Sequence, residues 1–455
     1  MNELYHDAMA IRFHFWNPDF FITFTANPNW PEIIRELFPG QQPTDRPDLL
    51  ARVFRLKLKE LLDDLKSGVL GPYEGHVYTI EYQKRGLPHA HILLFIRSVH
   101  HFKNAAAVDE VICAELPNPL WDPTGDLRDL ILEKMVHGPC GDYNPKAACM
   151  ESKTPNGPRH CAKRYPKPFT DVTVVTDDTY PKYRRRHNGI TWEIRKPGSV
   201  NERVVLDNRW VVPYNPYLLQ KYRCHINIEI ASSVAAVKYI FKYVFKGPDR
   251  ITLAVEKRNL GDEVTQYIHG RYIGPTEAFW RVFEYPTHGR YPSVQRLQVH
   301  LKDQHQIQFP LDATPSQIAL LMEEKRTTLM GLFEYNRSYS SGRHLTYPQF
   351  PTKFVWKKET REWTPRQKLK AYGRMYTCSP LAGERYYLRL LLTTVCGPQS
   401  FEDLYEFDGV TYPTYYAACV ARNLCRDDKE WFHFFNEAKV YTSGYGLRSI
   451  FISGL

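Results

Sequence analysis

Two histidines one residue apart, His89 and His91, open an apolar run and are the first residues in the chain that could do chemistry. Side chains two positions apart on a β-strand point to the same face of the sheet, so both imidazoles would lie together. They could be packing residues on a half-buried sheet, or they could hold a divalent cation. A third ligand beside them would favour the second interpretation.

The residues that precede the histidines predict a β-hairpin that supplies such ligands. Residues 76–96 contain two strand-like stretches joined by Lys-Arg-Gly-Leu-Pro, a turn-forming sequence. A symmetric hairpin centred on the glycine of this turn places Glu81 opposite His91 and Gln83 opposite His89, with all four side chains on one face. Two imidazoles, a carboxylate and an amide could bind Mg²⁺ or Mn²⁺, which would polarise a phosphodiester.

A second stretch, residues 232–248, predicts a helix that carries Tyr239 and Tyr243 one turn apart. A phenol is a weak nucleophile at neutral pH, but nearby lysines and a metal would favour phenolate character as it attacks phosphorus. Alternatively, the tyrosines border the core and the lysines extend into solvent. Lysines recur at every fourth position of this helix. Lys242 and Lys246 each stand three residues after a tyrosine and could assist its chemistry. The candidate DNA contacts are Lys238, Lys242, Lys246 and Arg85.

Residues 100–215 are rich in proline, asparagine and cysteine, and we interpret them as an insertion between elements of the core. Within this insertion the short His-Gly-Pro-Cys spacing is typical of zinc sites, and a metal would stabilise a small loop-rich module. The alternative is a loop subdomain with unpaired cysteines. The candidate ligands of a structural Zn²⁺ are Cys140, Cys149, Cys161 and His137, with His160 nearby.

The charge and the composition favour a polyanionic partner. Lysine and arginine outnumber aspartate and glutamate by 60 to 50, and the sequence pI is about 9.0. Aromatic residues make up 14% of the chain. Cations and aromatic rings together suit single-stranded nucleic acid, whose bases stack on rings, although a tyrosine-rich core would explain the aromatic content equally well.

Cysteine usage and hydropathy indicate the redox compartment of the protein and whether it has a membrane partner. The nine cysteines are scattered and odd in number, which favours a reducing compartment. No apolar run reaches the roughly 18 residues of a membrane span, so we expect no membrane partner. The first residues lack the apolar core of a signal peptide, and we expect them to be the cut edge of a longer chain.

The pattern along the chain predicts an α+β fold with a central antiparallel sheet flanked by helices. Residues 21–30 and 224–231 predict strands, and residues 48–66 predict an amphipathic helix. Residues 380–395 and 412–438 predict helices of a C-terminal module. No solenoid-type internal repeat is visible.

Several stretches together resemble the HUH endonucleases of the rolling-circle replication-initiator class, and most closely the N-terminal replication-initiator region of Helitron rolling-circle transposases. The matching text includes PDFFITFTANPNWPEI, EYQKRGLPHAHILLF and YIFKYVFKG, and the resemblance runs from about residue 2 to near residue 455. It implies an HUH-like fold in which His89 and His91 bind the metal and Glu81 is the third ligand. It also implies that Tyr239 and Tyr243 are nucleophiles that form 5′-phosphotyrosine links and free a 3′-hydroxyl.

The resemblance also predicts the domain organisation. Residues 1–250 would form the HUH endonuclease domain with its cysteine-bearing insertion, residues 251–355 an accessory DNA-binding region, and residues 356–455 a helical C-terminal module. Helitron proteins usually continue into a helicase, so we expect one in the full-length chain. The sequence itself contains no G-x-x-x-x-G-K-[ST] phosphate loop.

The predicted function is that of a metal-dependent single-stranded DNA endonuclease and strand transferase, acting in the nucleus on transposon ends and target DNA. The alternative is a non-catalytic single-stranded DNA-binding module derived from such a transposase. Retention of both tyrosines and both histidines favours the enzyme. An RNA-binding protein would rest on basicity alone.

Overall fold

The structure, a computed structural model, describes residues 2–15, 18–82, 86–97, 105–152, 157–175, 181–196, 198–199, 201–231, 251–254, 267–270, 273–305, 313–317, 326–425, 434–435, 438 and 447–448. The chain divides into two compact units. The sheet unit comprises Phe15–Arg290, and the C-terminal unit comprises Met1–His14 together with Tyr291–Leu455. The domain boundaries expected at residues 250 and 355 stay predictions.

The sheet unit is organised around one five-stranded sheet. Its strands, in chain order, are β1 (Phe20–Thr25), β2 (Tyr73–Tyr82), β3 (Pro88–Ile96), β4 (Met150–Ser152), β5 (Arg159–Cys161), β6 (Thr191–Arg195), β7 (Arg203–Asp207), β8 (Ile226–Ile230), β9 (Ile251–Ala254), β10 (Tyr267–Gly270) and β11 (His288–Tyr291). The sheet has the order β11–β2–β3–β1–β8, and β3 and β8 both run antiparallel to β1. The other strands form antiparallel pairs, β4 with β5, β6 with β7 and β9 with β10.

The helices before residue 290 belong to both units. Helix α1 (Asn2–Phe15) opens the chain, and all but its last residue belongs to the C-terminal unit. The helices of the sheet unit are α2 (Pro31–Ile34), α3 (Pro47–Ser67), α4 (Ala105–Val111), α5 (Asp126–Lys134), α6 (Pro216–Tyr222) and α7 (Pro275–Val282), with short 3₁₀ helices at Pro43–Asp45 and Asn208–Trp210.

Helix α3 covers one face of the sheet and confirms the helix predicted at residues 48–66. It starts with Pro47, which fits a first helical turn, and it ends at Gly68, whose φ of 94° is the left-handed geometry that glycine adopts easily. Its buried residues recur every three or four positions, and the ring of Phe54 stacks on Phe24 of β1 with centroids 5.5 Å apart. This packing fixes which face of β1 enters the core.

The alternation of β1 therefore decides which side chains are available for chemistry. Phe20, Ile22 and Phe24 are fully buried on the face that carries α3. The odd-numbered residues of the strand, including Thr23 and Thr25, point to the opposite face. Because β3 and β8 pair with β1 in register, the odd-numbered residues of all three strands share this second face, which we call the site face.

The predicted insertion covers the outer edge of β8. The backbone N–H of Ile228 donates to the carbonyl of Pro213 at 3.2 Å, and that of Ile230 donates to the Tyr183 hydroxyl at 2.8 Å. Arg185, which is almost fully buried, donates to the carbonyls of three separate loop residues. The two bonds to β8 hold the insertion to the sheet and block strand addition at that edge, whereas the bonds of Arg185 stabilise the insertion itself.

The C-terminal unit has its own hydrophobic core. Its elements after α1 are β12 (Ser293–Leu297), α8 (Thr328–Ser338), β13 (Phe354–Lys357), β14 (Glu362–Pro365), β15 (Ala371–Met375), α9 (Glu384–Thr394), β16 (Glu406–Phe407), β17 (Val410–Thr411) and α10 (Tyr415–Ala421), with 3₁₀ helices at Ser340–Gly342, Phe350–Thr352, Pro380–Ala382 and Glu402–Leu404. Strands β12 and β15 are parallel, whereas β13 pairs with β14 in an antiparallel hairpin.

A buried carboxylate joins α1 to the two parallel strands of this unit. Asp7 is fully buried, and it accepts hydrogen bonds from Arg374 at 2.8 Å and from Arg296 at 3.2 Å. Two guanidinium groups offset the cost of burying one carboxylate. Removal of the carboxylate, or of both guanidinium groups, would leave charge without a partner in the interior. The N-terminal residues thus help to build the C-terminal unit.

The fold agrees with the predicted α+β class, and it adds strands to the helices predicted for the C-terminal module. Helix α9 lies within the predicted residues 380–395, but strands β13 to β17 also belong to this part of the chain. These strands have two to five residues, which is too short for a period-two pattern to stand out. Among the described residues, none of the helices has both the length and the hydrophobicity needed to cross a bilayer.

Candidate functional site

The hairpin β2–β3 has a register that differs by two residues from the predicted one. Glu81 lies opposite His89, and Thr79 lies opposite His91. The predicted pairing of Glu81 with His91 is therefore wrong, because the hairpin is not centred on Gly86. A shift of two residues preserves the side on which each side chain lies, so Glu81, His89 and His91 still share one face.

Both histidines are held by hydroxyl groups from the neighbouring strand β1. Thr25 Oγ1 lies 2.6 Å from His89 Nδ1, and Thr23 Oγ1 lies 3.2 Å from His91 Nδ1. The ring of Phe21 also stacks on His91, with centroids 5.5 Å apart. When a threonine oxygen accepts a hydrogen bond from Nδ1–H, the lone pair of Nε2 stays free to bind a metal. This arrangement is found around metal-ligating histidines.

The atoms that would face a metal are buried and in part unsatisfied. His91 Nε2 lies 3.6 Å from Glu81 Oε2. Within the described residues, His89 Nε2 and Glu81 Oε1 have no hydrogen-bond partner although both atoms are buried. Because leaving such atoms unpaired costs free energy, two unsatisfied ligand atoms on one sheet face fit a site that receives a cation or a polar ligand.

Electrostatics keeps His89 in the form that a metal requires. Burial, helped by the neighbouring imidazoles of His91 and His225, lowers the pKa of His89 to about 3. The imidazole is therefore neutral at physiological pH. Two imidazoles with one carboxylate can coordinate a divalent cation, so the residues present fit the ion that the sequence predicts.

The site face continues across β1 to β8. Asn227 lies opposite Thr23, which in turn lies opposite His91, and Glu229 lies opposite Phe21. The Asn227 amide donates to Glu229 at 3.1 Å, and its buried Oδ1 has no partner among the described residues. The polar surface is therefore wider than the hairpin alone and extends to the strand that the insertion covers.

The predicted zinc ligands converge within the insertion. The ligand atoms of His137, Cys140, Cys149 and Cys161 all lie within 4.8 Å of one another, and His137 Nε2 is 3.5 Å from Cys161 Sγ. His160 is exposed and lies outside this group. Among the described parts of the chain, this is the one set of three or more such ligands that converges so closely. The ligand atoms of Glu81, His89 and His91 lie further apart and would have to move together to bind an ion.

The strand pair β4–β5 brings these cysteines together. Cys149 immediately precedes β4, Cys161 ends β5, and Ala162 N donates to the Cys149 carbonyl at 2.8 Å. His137 is tied to the rest of the insertion by its N–H, which donates to Trp210 O at 2.9 Å. We call residues 137–167 the cysteine module.

Without a metal the cluster contains both thiols that favour the protonated form and a thiol whose pKa is lowered, so metal binding would release protons. Burial raises the pKa of Cys140 to about 12, and the thiols of Cys161 and Cys149 contribute. Burial also tends to raise the pKa of Cys161. Backbone N–H groups and the thiols of Cys140 and Cys149 outweigh burial, so the pKa of Cys161 is lowered. Burial, with nearby lysines, lowers the pKa of His137 to about 4. Three sulfurs and a neutral imidazole form a donor set that suits tetrahedral Zn²⁺.

Several residues of the predicted site lie outside the described ranges. These are the two tyrosines, the lysine row and two residues of the hairpin turn: Tyr239, Tyr243, Lys238, Lys242, Lys246, Gln83 and Arg85. Their roles stay predictions.

Sequence reasoning missed the supports of the histidines. Thr23 and Thr25 are more than 60 positions from the histidines they contact, and no local signal links them. The alternation of Phe-Ile-Thr-Phe-Thr in β1 did indicate that both threonines share a face. Knowledge that β1 lies beside β3 would have placed them against His89 and His91.

The fold and the two clusters define an α+β protein with one candidate metal site on a sheet face and a second in a cysteine-bearing insertion. Residues 1–94 match the family described as Helitron helicase-like domain at N-terminus. The matched segment includes β1 and the hairpin with Glu81, His89 and His91. It relates the N-terminal part of the chain to Helitron proteins, and no curated protein matches the chain.

Proposed function

We propose that the protein is a metal-dependent single-stranded DNA endonuclease and strand transferase that acts in rolling-circle transposition through tyrosine nucleophiles. The observation that carries the proposal is the grouping of Glu81, His89 and His91 on one sheet face with two unsatisfied buried ligand atoms. The Helitron match over residues 1–94 supports a role in transposition. The net charge of +10 supports a nucleic acid as the partner.

The residues of the site face have separate tasks in this proposal. His89, His91 and Glu81 would hold a divalent cation, which when bound supplies Lewis-acid polarisation of the scissile phosphate. Thr25 and Thr23 fix the ring orientations through Nδ1 and leave Nε2 of each histidine for the metal. Phe21 restricts the rotation of His91 by stacking on it.

The tyrosines would carry the covalent chemistry. The phenolic oxygen of Tyr239 or Tyr243 attacks phosphorus, a bond forms between that oxygen and phosphorus, and the bond between phosphorus and the 3′ oxygen breaks. The phenolic proton leaves to solvent or to a nearby base, and the departing 3′ oxygen takes up a proton. The product is a 5′-phosphotyrosine link with a free 3′-hydroxyl, and the reverse attack by a 3′-hydroxyl rejoins a strand.

A cleavage assay with matched histidine variants tests this proposal. The wild-type protein should cut a labelled single-stranded oligonucleotide in the presence of Mn²⁺ or Mg²⁺ and should lose this activity in excess chelator. His89→Ala/His91→Ala should abolish cleavage while DNA binding largely remains. His187→Ala/His344→Ala removes two exposed imidazoles elsewhere and should cleave like the wild type.

Two outcomes would count against the proposal. Undiminished cleavage by the His89→Ala/His91→Ala variant, or in chelator, would remove the metal site from the reaction. Tight binding of single strands by the wild type without any cleavage would favour the alternative function, a non-catalytic DNA-binding module.

A further inference from the structure

The cysteine module has a strongly basic surface. Its sequence contains six lysines and arginines against two acidic residues. Three thiolates with one Zn²⁺ would leave a single negative charge, which does not cancel these cations. Within the described structure, no ion pair is formed by any of the module's cations whose placement is known, namely Lys146, Arg159, Lys163, Arg164 and Lys167.

The cysteine cluster holds part of this surface in place. Lys163 and Arg164 stand two and three residues after the ligand Cys161 in the chain and are exposed. Lys167 donates to the carbonyl of Lys163 at 2.7 Å, and its ammonium lies 4.9 Å from the centre of the Tyr165 ring. That ring stacks on the ligand His137, with centroids 4.3 Å apart and planes 13° from parallel. The segment that carries Lys163, Arg164 and Lys167 is therefore attached to the cysteine cluster at two points, Cys161 and the ring of Tyr165 against His137.

The module also adjoins the site face. The carboxylate of Glu229 acts electrostatically on both Lys167 and Tyr165. Glu229 lies on β8 directly opposite Phe21, the residue whose ring stacks on His91. Strands β3 and β8 are separated only by β1, a distance of about 10 Å across the sheet. A strand of nucleic acid that leaves the histidines across β1 would reach the cations of the module.

We propose that the loop formed by residues 159–167 is a binding site for the phosphate backbone of single-stranded DNA, held in position by zinc in the adjacent cluster. The inference rests on the proposed function for the identity of the polyanion and adds a contact region that lies outside the catalytic face. Cations without ion pairs, of which Lys163 and Arg164 are exposed and Lys167 is half-buried, can each release counterions from a phosphate. Tyr143, whose side chain is 40% exposed on the same module, offers a ring on which a base can stack.

Binding measurements with matched triple variants test the inference. Affinity for a labelled single strand is measured by fluorescence anisotropy over a series of salt concentrations, with Lys163→Ala/Arg164→Ala/Lys167→Ala compared with the wild type. We expect a loss of about tenfold or more and a shallower salt dependence, by about 0.7 in the logarithmic slope for each lost phosphate contact. Elemental analysis should find the same zinc content in both proteins.

The control removes three exposed cations from the other face of the sheet. Arg35, Lys59 and Lys66 lie on or beside the helices that cover the face opposite the histidines. Arg35→Ala/Lys59→Ala/Lys66→Ala changes the net charge equally and should retain most of the affinity. A charge-preserving variant, Lys163→Arg/Arg164→Lys/Lys167→Arg, should also bind like the wild type.

Several results would overturn the inference. These are wild-type affinity in the alanine variant, an equal loss in the control, or a comparable loss in the charge-preserving variant. Zinc removal by a chelator should reduce the affinity and zinc addition should restore it, so affinity indifferent to zinc would contradict the role of the metal. Since affinity is measured without cleavage, the inference can fail while the proposed nuclease stands, and the reverse also holds.

Discussion

His91 Nε2 lies 3.6 Å from Glu81 Oε2, on a diagonal across the β2–β3 hairpin. The two residues are not direct cross-strand partners, since Thr79 occupies the position opposite His91. The diagonal contact involves only one oxygen of the carboxylate, since Glu81 Oε1 and His89 Nε2 have no hydrogen-bond partner among the described residues. This geometry suits an ion that the carboxylate and both imidazoles approach from different directions.

The threonines that orient the histidines give the first prediction. Thr25→Val keeps the shape of the side chain but removes the oxygen 2.6 Å from His89 Nδ1. Loss of such a supporting hydrogen bond should weaken divalent-metal binding or metal-dependent cleavage by about 10- to 100-fold. The measurement is a titration of cleavage rate against Mn²⁺ concentration, with the exposed Thr360→Val as control. An unchanged metal dependence in Thr25→Val would show that the hydroxyl does not position the imidazole.

The cysteine module gives the second prediction. Purified protein should contain close to one Zn²⁺ per chain, because His137, Cys140, Cys149 and Cys161 form a single compact donor set. Cys140→Ser should lose the zinc and lower the unfolding temperature, since the free energy of zinc binding contributes to folding of a loop-rich module. Cys396→Ser, at an exposed cysteine in the C-terminal unit, is the control. A zinc-free wild-type protein would refute the site.

Asp19, just before β1, gives a prediction about pH. Burial raises the pKa of its carboxyl to about 7, against the opposing effect of the Ile96 N–H that it accepts at 2.8 Å. The pKa of an aspartate in the unfolded chain is 3.8. Between this pH and about 7 the folded protein therefore binds more protons than the unfolded chain. The free energy of unfolding should therefore fall as the pH rises through this window, by at most about 4 kcal/mol, and then level off.

Denaturant unfolding of the wild type and Asp19→Asn at several pH values measures this effect. The amide can still accept from Ile96 but cannot ionise, so the variant should lack that part of the pH dependence and should be the more stable protein near pH 8. Identical pH profiles for the two proteins would mean that the Asp19 carboxyl titrates normally.

The sequence predicted the local elements better than the pairings between them. Helix α3 carries a long apolar periodicity, and the residue types of the insertion named the four members of the cysteine cluster as candidates, although beyond His-Gly-Pro-Cys their spacing is irregular and His160 was a fifth candidate. The hairpin was centred wrongly because β2 ends at Tyr82 and β3 begins at Pro88, which no turn rule in the sequence imposes. The face of Glu81 was nevertheless predicted correctly, because the error was an even number of residues.

Contacts between distant segments had no sequence signal. The bonds from Thr23 and Thr25 to the histidines, and from Arg185 to three loop carbonyls, depend on the order of strands and the path of the insertion. Asp7 joins residues of β12 and β15 for the same reason. Such contacts are decided by packing rather than by propensity, so only the folded chain reveals them.

The two tyrosines should be non-equivalent. In the helix predicted for residues 232–248, Tyr243 lies nearer the C-terminal end, where the helix dipole disfavours a phenolate. Tyr239 has Lys238 and Lys242 on either side. Tyr239→Phe should lose most of the single-cut activity, whereas Tyr243→Phe should cut but fail in complete strand transfer. The reverse pattern in a cleavage and joining assay would exchange the two roles.

The most direct test of the central claim is mass spectrometry of the covalent product. The wild-type protein is incubated with single-stranded DNA and Mn²⁺, denatured, digested, and searched for a nucleotide-bearing peptide. We predict a 5′-phosphotyrosine on the peptide that contains Tyr239 or Tyr243, absent from His89→Ala/His91→Ala and from Tyr239→Phe/Tyr243→Phe. Cleaved DNA with no protein-linked nucleotide, or with the link at another residue, would contradict the proposed mechanism.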